Sequence, residues 1–211
     1  MELAELTVRG FTEEIASASP APGGGSAAAL AGAVGAALTA MVSGLTLGRK
    51  KYEAVQELVL RAQAQADALR KRLLAAMEQD TQTFLQVSAA YAMPKQTPEE
   101  KQARSSAIEQ GLKACTQPPL AVMQLCAEGL ELLESLLGKT NATAASDFGV
   151  ACLSLRAGMQ GAWLNVCINT GSLHDAAFAA GARAAGQKLL DTGLPRADRC
   201  YAAMLAVCSE G

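Results

Sequence analysis

Apolar and polar positions follow a helical period along most of the chain. From Lys50 to about Met93 the inward positions step by three or four through Val55, Leu58, Ala62, Ala66, Leu69, Leu73, Ala76, Asp80, Phe84, Val87 and Tyr91, all apolar but one. That spacing predicts one long helix, stopped by Pro94. Asp80 falls in the same stripe. An unpaired buried carboxylate is costly, so Asp80 must be paired, hydrogen-bonded or open to a cavity.

The other segments read the same way. Leu3 to about Ser17 predicts a first helix, weakened by Gly10. Ala27–Leu47 carries no charge, and its larger side chains (Leu30, Val34, Leu38, Met41 and Leu45) form one stripe. Ala28, Gly32, Ala36, Ala40 and Gly44 recur every fourth residue, a spacing that brings another backbone close. This segment has the length of a bilayer span and is followed by Arg49-Lys50-Lys51, yet its small residues favour a buried core helix over a membrane span.

Thr97-Pro98-Glu99-Glu100 is a helix start, with Thr as cap and Pro at the first helical position. That helix is expected to reach about Cys115, and Pro118-Pro119 to restart another over Leu120–Leu137 with Gly138 as its stop. A polar break at Gly138–Asp147 leads into a helix ending near Thr170, on which Ser154, Gly158, Gly161, Asn165 and Asn169 share a face. Such a face suits a polar ligand, and it suits tight packing with amide bridges equally. His174-Asp175 opens a helix to about Leu190, with His174 as a capping or surface residue, and Leu194–Val207 forms a last one. The expected architecture is all-α: one helical bundle over residues 1–211, with one long helix and Ala/Gly-rich core helices.

Composition narrows the function. Alanine-rich, aromatic-poor segments favour helix over sheet. A net charge of -2 argues against a nucleic-acid binder, which needs a basic face. Six cysteines at scattered spacings with one histidine make a metal site improbable and suit reduced thiols in a cytoplasmic protein. Met1–Glu14 lacks the apolar core of a signal peptide.

The candidate chemistry starts at Pro20-Ala-Pro-Gly-Gly-Gly-Ser26. Three glycines allow positive φ and close approach to a ligand, and Ser26 reads as the N-cap of the next helix. The free N–H groups of a helix start favour an anion. No Gly-Lys-Ser/Thr closes a P-loop, and no dinucleotide fingerprint is present. The polar groups needing explanation are Gly24, Gly25 and Ser26, Lys50 and Lys51, Asp80, Asn141, Ser146 and Asp147, and the pair Asn165 and Asn169. Asp147 also reads as a first-turn acid favoured by the helix dipole, and Lys50 and Lys51 as a basic helix flank. Together these groups could bind a small molecule with carboxylates at the basic end and a cationic nitrogen near the aspartates.

Three blocks in order resemble the cyclodeaminase/cyclohydrolase family. They are Pro20-Ala-Pro-Gly-Gly-Gly-Ser26 running to Leu45-Thr-Leu-Gly-Arg-Lys-Lys51-Tyr52, then Asp80-Thr-x-x-Phe84, then Asn141-x-x-x-x-Ser146-Asp147 with Gly161-Ala-x-x-Asn165-Val-x-Ile-Asn169 and Asp175. The resemblance spans most of the chain. It implies an all-helical homodimer or higher homo-oligomer acting on one-carbon derivatives of tetrahydrofolate, with no tightly bound cofactor. The implied reaction is hydrolysis of 5,10-methenyltetrahydrofolate to 10-formyltetrahydrofolate. The alternative is deamination of formiminotetrahydrofolate, working with a separate formiminotransferase, and a non-catalytic helical interaction protein is a third reading. Within that reading Asp80 and Asp147 are the expected catalytic carboxylates, with Asp80 the first choice as acid/base. Asn165 and Asn169 are expected at the pterin, the glycine loop with Ser26 at the ligand, and Lys50 and Lys51 at the glutamate tail.

Overall fold

A computed structural model describes residues 2–210, so the two outermost residues of the expected bundle, Met1 and Gly211, lie outside the described residues. Among the described residues there are six α-helices: α1 Val8–Ile15, α2 Gly24–Gly44, α3 Gln56–Tyr91, α4 Pro98–Leu136, α5 Ala145–Gly171 and α6 Ala176–Ser209. No strand occurs among the described residues. Helix α2 is central and packs mainly on α3 and α5; α4 lies across α3 and α5, and α6 closes the bundle against α5 and α4.

The α2–α5 contact explains the spacing of small residues. A Cβ at Gly158 would stand 2.8 Å from the Ala28 carbonyl and 2.9 Å from the Gly32 amide, and one at Gly35 would stand 2.8 Å from the Ala151 carbonyl. The two backbones meet at these positions, running antiparallel. The face of α2 that is buried is accordingly the small one, with Ala29, Ala33, Ala36, Thr39 and Ser43 almost wholly covered. The stripe of larger residues points the other way, leaving Val34, Met41 and Leu45 exposed. Size and burial are inverted on this helix because only small side chains let two neighbouring backbones come this near.

Several boundaries differ from the periodic reading. Helix α1 is shorter than Leu3–Ser17, because Leu6 is extended and Thr7 caps a new start through the Gly10 amide. The segment before α3 is a 3-10 turn over Lys50–Val55 in which Tyr52 leaves helical geometry. Helix α4 does not break at Pro118-Pro119. Pro119 lacks the N–H that would bond the Cys115 carbonyl, and the Asn169 amide of α5 donates to that carbonyl at 2.8 Å. Helix α6 likewise runs through Pro195 instead of dividing after Leu190, held by Leu190, Gly193, Ala197 and Cys200 on its buried face. The start of α4 matches expectation: Thr97 and Glu100 form a capping box around Pro98. Gly138, with φ of 70°, follows its end.

Candidate active site

Helix α2 begins three residues earlier than expected. Its N-cap is Gly23, in extended backbone, so Ser26 sits in the first turn and is not the cap. None of the three loop glycines has positive φ; among the described residues only Gly48 and Gly138 do. The glycines serve closeness instead. A Cβ at Gly25 would lie 2.3 Å from Asp80 Oδ1, so only glycine lets that carboxylate rest on the helix start. The Ala27 amide is the first to bond within the helix, to the Gly23 carbonyl, which leaves the Gly24, Gly25 and Ser26 amides without helical partners.

Asp80 meets those groups from α3. The fully buried Ser26 hydroxyl donates to Asp80 Oδ2 at 3.0 Å, and Thr81 Oγ1 stands 3.0 Å from the same hydroxyl oxygen. Since the Ser26 proton is used on Asp80, Thr81 can complete the chain by donating to Ser26. Burial pushes the Asp80 carboxyl above the usual carboxylate range, against the opposing pull of the Ser26 hydroxyl and backbone amide. The demand read from the sequence, that this carboxylate be hydrogen-bonded or face a cavity, is met on both counts.

The cavity beside Asp80 has a volume of about 330 Å³, at the small end of ligand sites. Gly23, Gly24 and Gly25 form one wall, and Asn165, Ile168 and Asn169 of α5 another. Phe84, Val87 and Tyr91 of α3 with Leu112 and Cys115 of α4 supply an apolar lining. Phe84 is 39% exposed, leaving ring surface for a planar ligand to stack on, and Tyr91 is 48% exposed with the Arg104 guanidinium over its ring at 5.8 Å. Phe84, Tyr91 and Thr81 were not singled out as site residues from sequence. The available signal was the stripe itself: past Asp80 it leaves the core and lines the cavity.

The two asparagines divide their tasks. Asn165 donates to the Gly161 carbonyl one turn back, and an amide retains further hydrogen-bonding capacity for a ligand. Asn169 is committed through its nitrogen to the Cys115 carbonyl. Both readings of their face therefore hold: Gly158 and Gly161 pack on α2, and the amides border the cavity.

The remaining candidates lie elsewhere in the chain. Asp147 and Asn165 share α5 and are separated by about 27 Å along it. Lys50 and Lys51 follow the far end of α2, about 30 Å from Gly25. They are exposed, with Lys51 over the Tyr52 ring at 5.7 Å. Asn141 is buried and structural: its amide donates to Thr46 Oγ1 at 2.9 Å and its side chain caps the Thr143 amide. Ser146 is exposed and Asp147 half-buried in the first turn of α5. Within one chain Gly24, Gly25, Ser26, Asp80, Asn165 and Asn169 thus converge, whereas Lys50, Lys51, Asn141, Ser146 and Asp147 gather at the opposite end. His174 is exposed, and its backbone amide is tied to Glu109.

Residues 7–188 match the family described as formiminotransferase-cyclodeaminase. A methenyltetrahydrofolate cyclohydrolase of Methylorubrum extorquens is 43% identical over 82% of this chain and 83% of its own length. The formimidoyltransferase-cyclodeaminase of Mus musculus is 34% identical over 83% of this chain, which spans only 32% of that longer protein. The crystal structure of a formiminotetrahydrofolate cyclodeaminase from Thermotoga maritima superposes with a TM-score of 0.81 at 26% identity, covering 98% of this chain and 97% of that one.

Proposed function

This chain belongs to the formiminotransferase-cyclodeaminase family, and on that premise we propose that it is an enzyme of folate one-carbon metabolism, hydrolysing 5,10-methenyltetrahydrofolate to 10-formyltetrahydrofolate. The observation that carries the mechanism is the Asp80 carboxylate, held by Ser26 against the start of α2 at the wall of an apolar-lined cavity. A methenyl group is a cationic carbon between two nitrogens; an ionised carboxylate attracts it, and one whose pKa is raised by burial is a better proton acceptor than an ordinary carboxylate.

The steps follow from one proton relay. Ionised Asp80 takes a proton from water as its oxygen bonds to the methenyl carbon, giving a neutral tetrahedral carbinol. Asp80 then returns that proton to N5 as the carbon–N5 bond breaks. The carbinol hydroxyl gives up its own proton to solvent as the formyl C=O forms, so one proton is released per turnover. Ser26, with Thr81 behind it, holds the Asp80 carboxylate in place. Asn165 hydrogen-bonds the pterin edge, while the Phe84 ring covers its face and excludes water. The folate is substrate, and no further cofactor enters.

A second reading keeps the site and changes the nucleophile. N10 attacks the formimino carbon on N5 and ammonia leaves, through the same tetrahedral carbon with NH2 in place of OH. The names of the mouse and Thermotoga maritima relatives favour it, and it requires a separate formiminotransferase to supply substrate. The deciding experiment follows the methenyl absorbance with purified protein against a blank in which spontaneous hydrolysis is slow. Enzyme-dependent loss supports the cyclohydrolase. Absence of loss together with ammonia release from the formimino compound replaces it with the cyclodeaminase.

A further inference from the structure

We propose that Arg104 selects substrates by their carboxylate tail, and that the row of α3 side chains from Asp80 to Tyr91 lays the folate out toward it. The proposal rests on the folate reading above. A tetrahydrofolate carries its carboxylates at the end remote from the pterin, joined to it through a benzoyl ring. The cavity at Asp80 is lined by no lysine or arginine among the described residues. Its volume of about 330 Å³ is at the small end of ligand sites. A charged tail finds no partner inside and must leave over the rim.

One route over the rim has the right length. Asp80, Phe84, Val87 and Tyr91 follow one another along α3 at steps of three or four, and all four line the cavity. Asp80 and Tyr91 are therefore about 16 Å apart along the helix. From the methenyl carbon to the far carboxylate of an extended benzoyl-glutamate is about 13 Å by standard bond lengths, and a hydrogen bond at that end adds about 3 Å. A substrate with its methenyl carbon at Asp80 thus has its benzoyl ring over Val87 and Leu112 and its carboxylates beside Tyr91. The pterin lies the other way, at Asn165 and the glycine wall.

Half-buried Arg104 of α4 stands at that point. Its Nε and Nη2 donate to the Tyr91 carbonyl at 3.3 and 3.1 Å, and its guanidinium lies over the Tyr91 ring at 5.8 Å. An arginine has five N–H donors, so those not aimed at the carbonyl are left for a carboxylate. No carboxylate of the chain competes for them: Arg104 forms no ion pair among the described residues. Glu100, one turn back on α4, is committed to the Gln96 and Thr97 amides. Lys113, further along α4, is by contrast taken up by Asp175 at 2.6 Å. Anchored on a carbonyl and stacked on a ring, the Arg104 guanidinium is in place before a ligand arrives, which reduces the entropy lost on binding.

Two substrates and one variant test this. The second substrate is a methenyl analogue whose N10 bears a plain phenyl ring, identical at the reacting atoms and free of carboxylates. Arg104→Gln keeps a donor for the Tyr91 carbonyl and loses the charge; its folding is checked by circular dichroism. Wild type is expected to show a KM about tenfold lower for 5,10-methenyltetrahydrofolate than for the analogue. Arg104→Gln should raise the first about tenfold and leave the second and both kcat values unchanged. An equal rise for both substrates would make Arg104 a cap of α3 and nothing more, and overturns the proposal, as does an unchanged KM for the tailed substrate. Wild type alone gives a second measurement should the variant misfold. Added salt should raise KM for the tailed substrate and spare the analogue, and a preference insensitive to salt overturns the proposal. Should the wild type turn over neither folate, the functional reading falls separately, and equilibrium dialysis with 5-formyltetrahydrofolate decides. Binding about tenfold weaker in Arg104→Gln supports the tail site, and equal binding, absence in both included, overturns it.

Discussion

Burying Asp80 costs the protein stability. Burial raises its folded-state pKa above the unfolded value. The native state therefore holds an extra proton between the two values, and that contribution to stability is lost as pH rises through the folded pKa. Asp80→Asn is expected to melt at a higher temperature than wild type near neutral pH, with the gap closing as pH falls toward the unfolded carboxylate value of about 4. The same variant should lose about 10²- to 10⁴-fold in turnover, the usual worth of a positioned acid/base. In wild type, the acid limb of the rate profile should lie above about pH 4, since in the proposed mechanism the ionised carboxylate accepts the water proton. Gly25→Ala probes the same contact from the other side. Its methyl would collide with the carboxylate, so activity should fall while a scan by circular dichroism still shows a folded helical protein. Of this site, Asp80 was legible because a charge interrupted an apolar stripe. The true role of Gly25 was not, because its constraint comes from a side chain 55 positions away in sequence, and a Gly-Gly-Gly-Ser run reads locally as a loop.

At the scale of elements, glycine reports where helices touch. Gly158→Ala places a methyl between two backbones and should destabilise the protein by about 1–3 kcal/mol. Gly181→Ala, with open space around it and an exposed position in α6, should instead stabilise by about 0.5–1 kcal/mol. Urea denaturation of both variants checks the contrast. The fourfold spacing of small residues made the close contact on α2 predictable. Which face would be buried was not, since periodicity ranks faces by size, and here the nearness of α5 reversed that rank. The prolines misled for a related reason. Pro118-Pro119 signals a break only when its freed carbonyl has no other donor, and the donor, Asn169, comes from a different helix. Asn169→Leu removes that donor while keeping volume, and should lower stability by about 1–3 kcal/mol, the cost of leaving a buried acceptor unpaired.

At the scale of the molecule, all six helices were foreseeable as helix, and their number and joints were not, because two long helices run through prolines that sequence alone treats as ends. The same scale explains why the candidate residues fell into two groups. Motif order along a chain says nothing of which end of a bundle each motif reaches, and antiparallel α2 and α5 send successive blocks to opposite ends. The turn that bears Arg49, Lys50 and Lys51 also gives the protein a proteolytic fingerprint. Helix α2 contains no trypsin site, and the first basic residues after Arg9 are this exposed triplet, in a short 3-10 turn broken at Tyr52. Such turns open locally more readily than the long helices beside them. Brief digestion should therefore nick the chain there first, leaving two large fragments that stay associated. A folate bound only within one chain lies about 30 Å away and would leave the nicking rate alone.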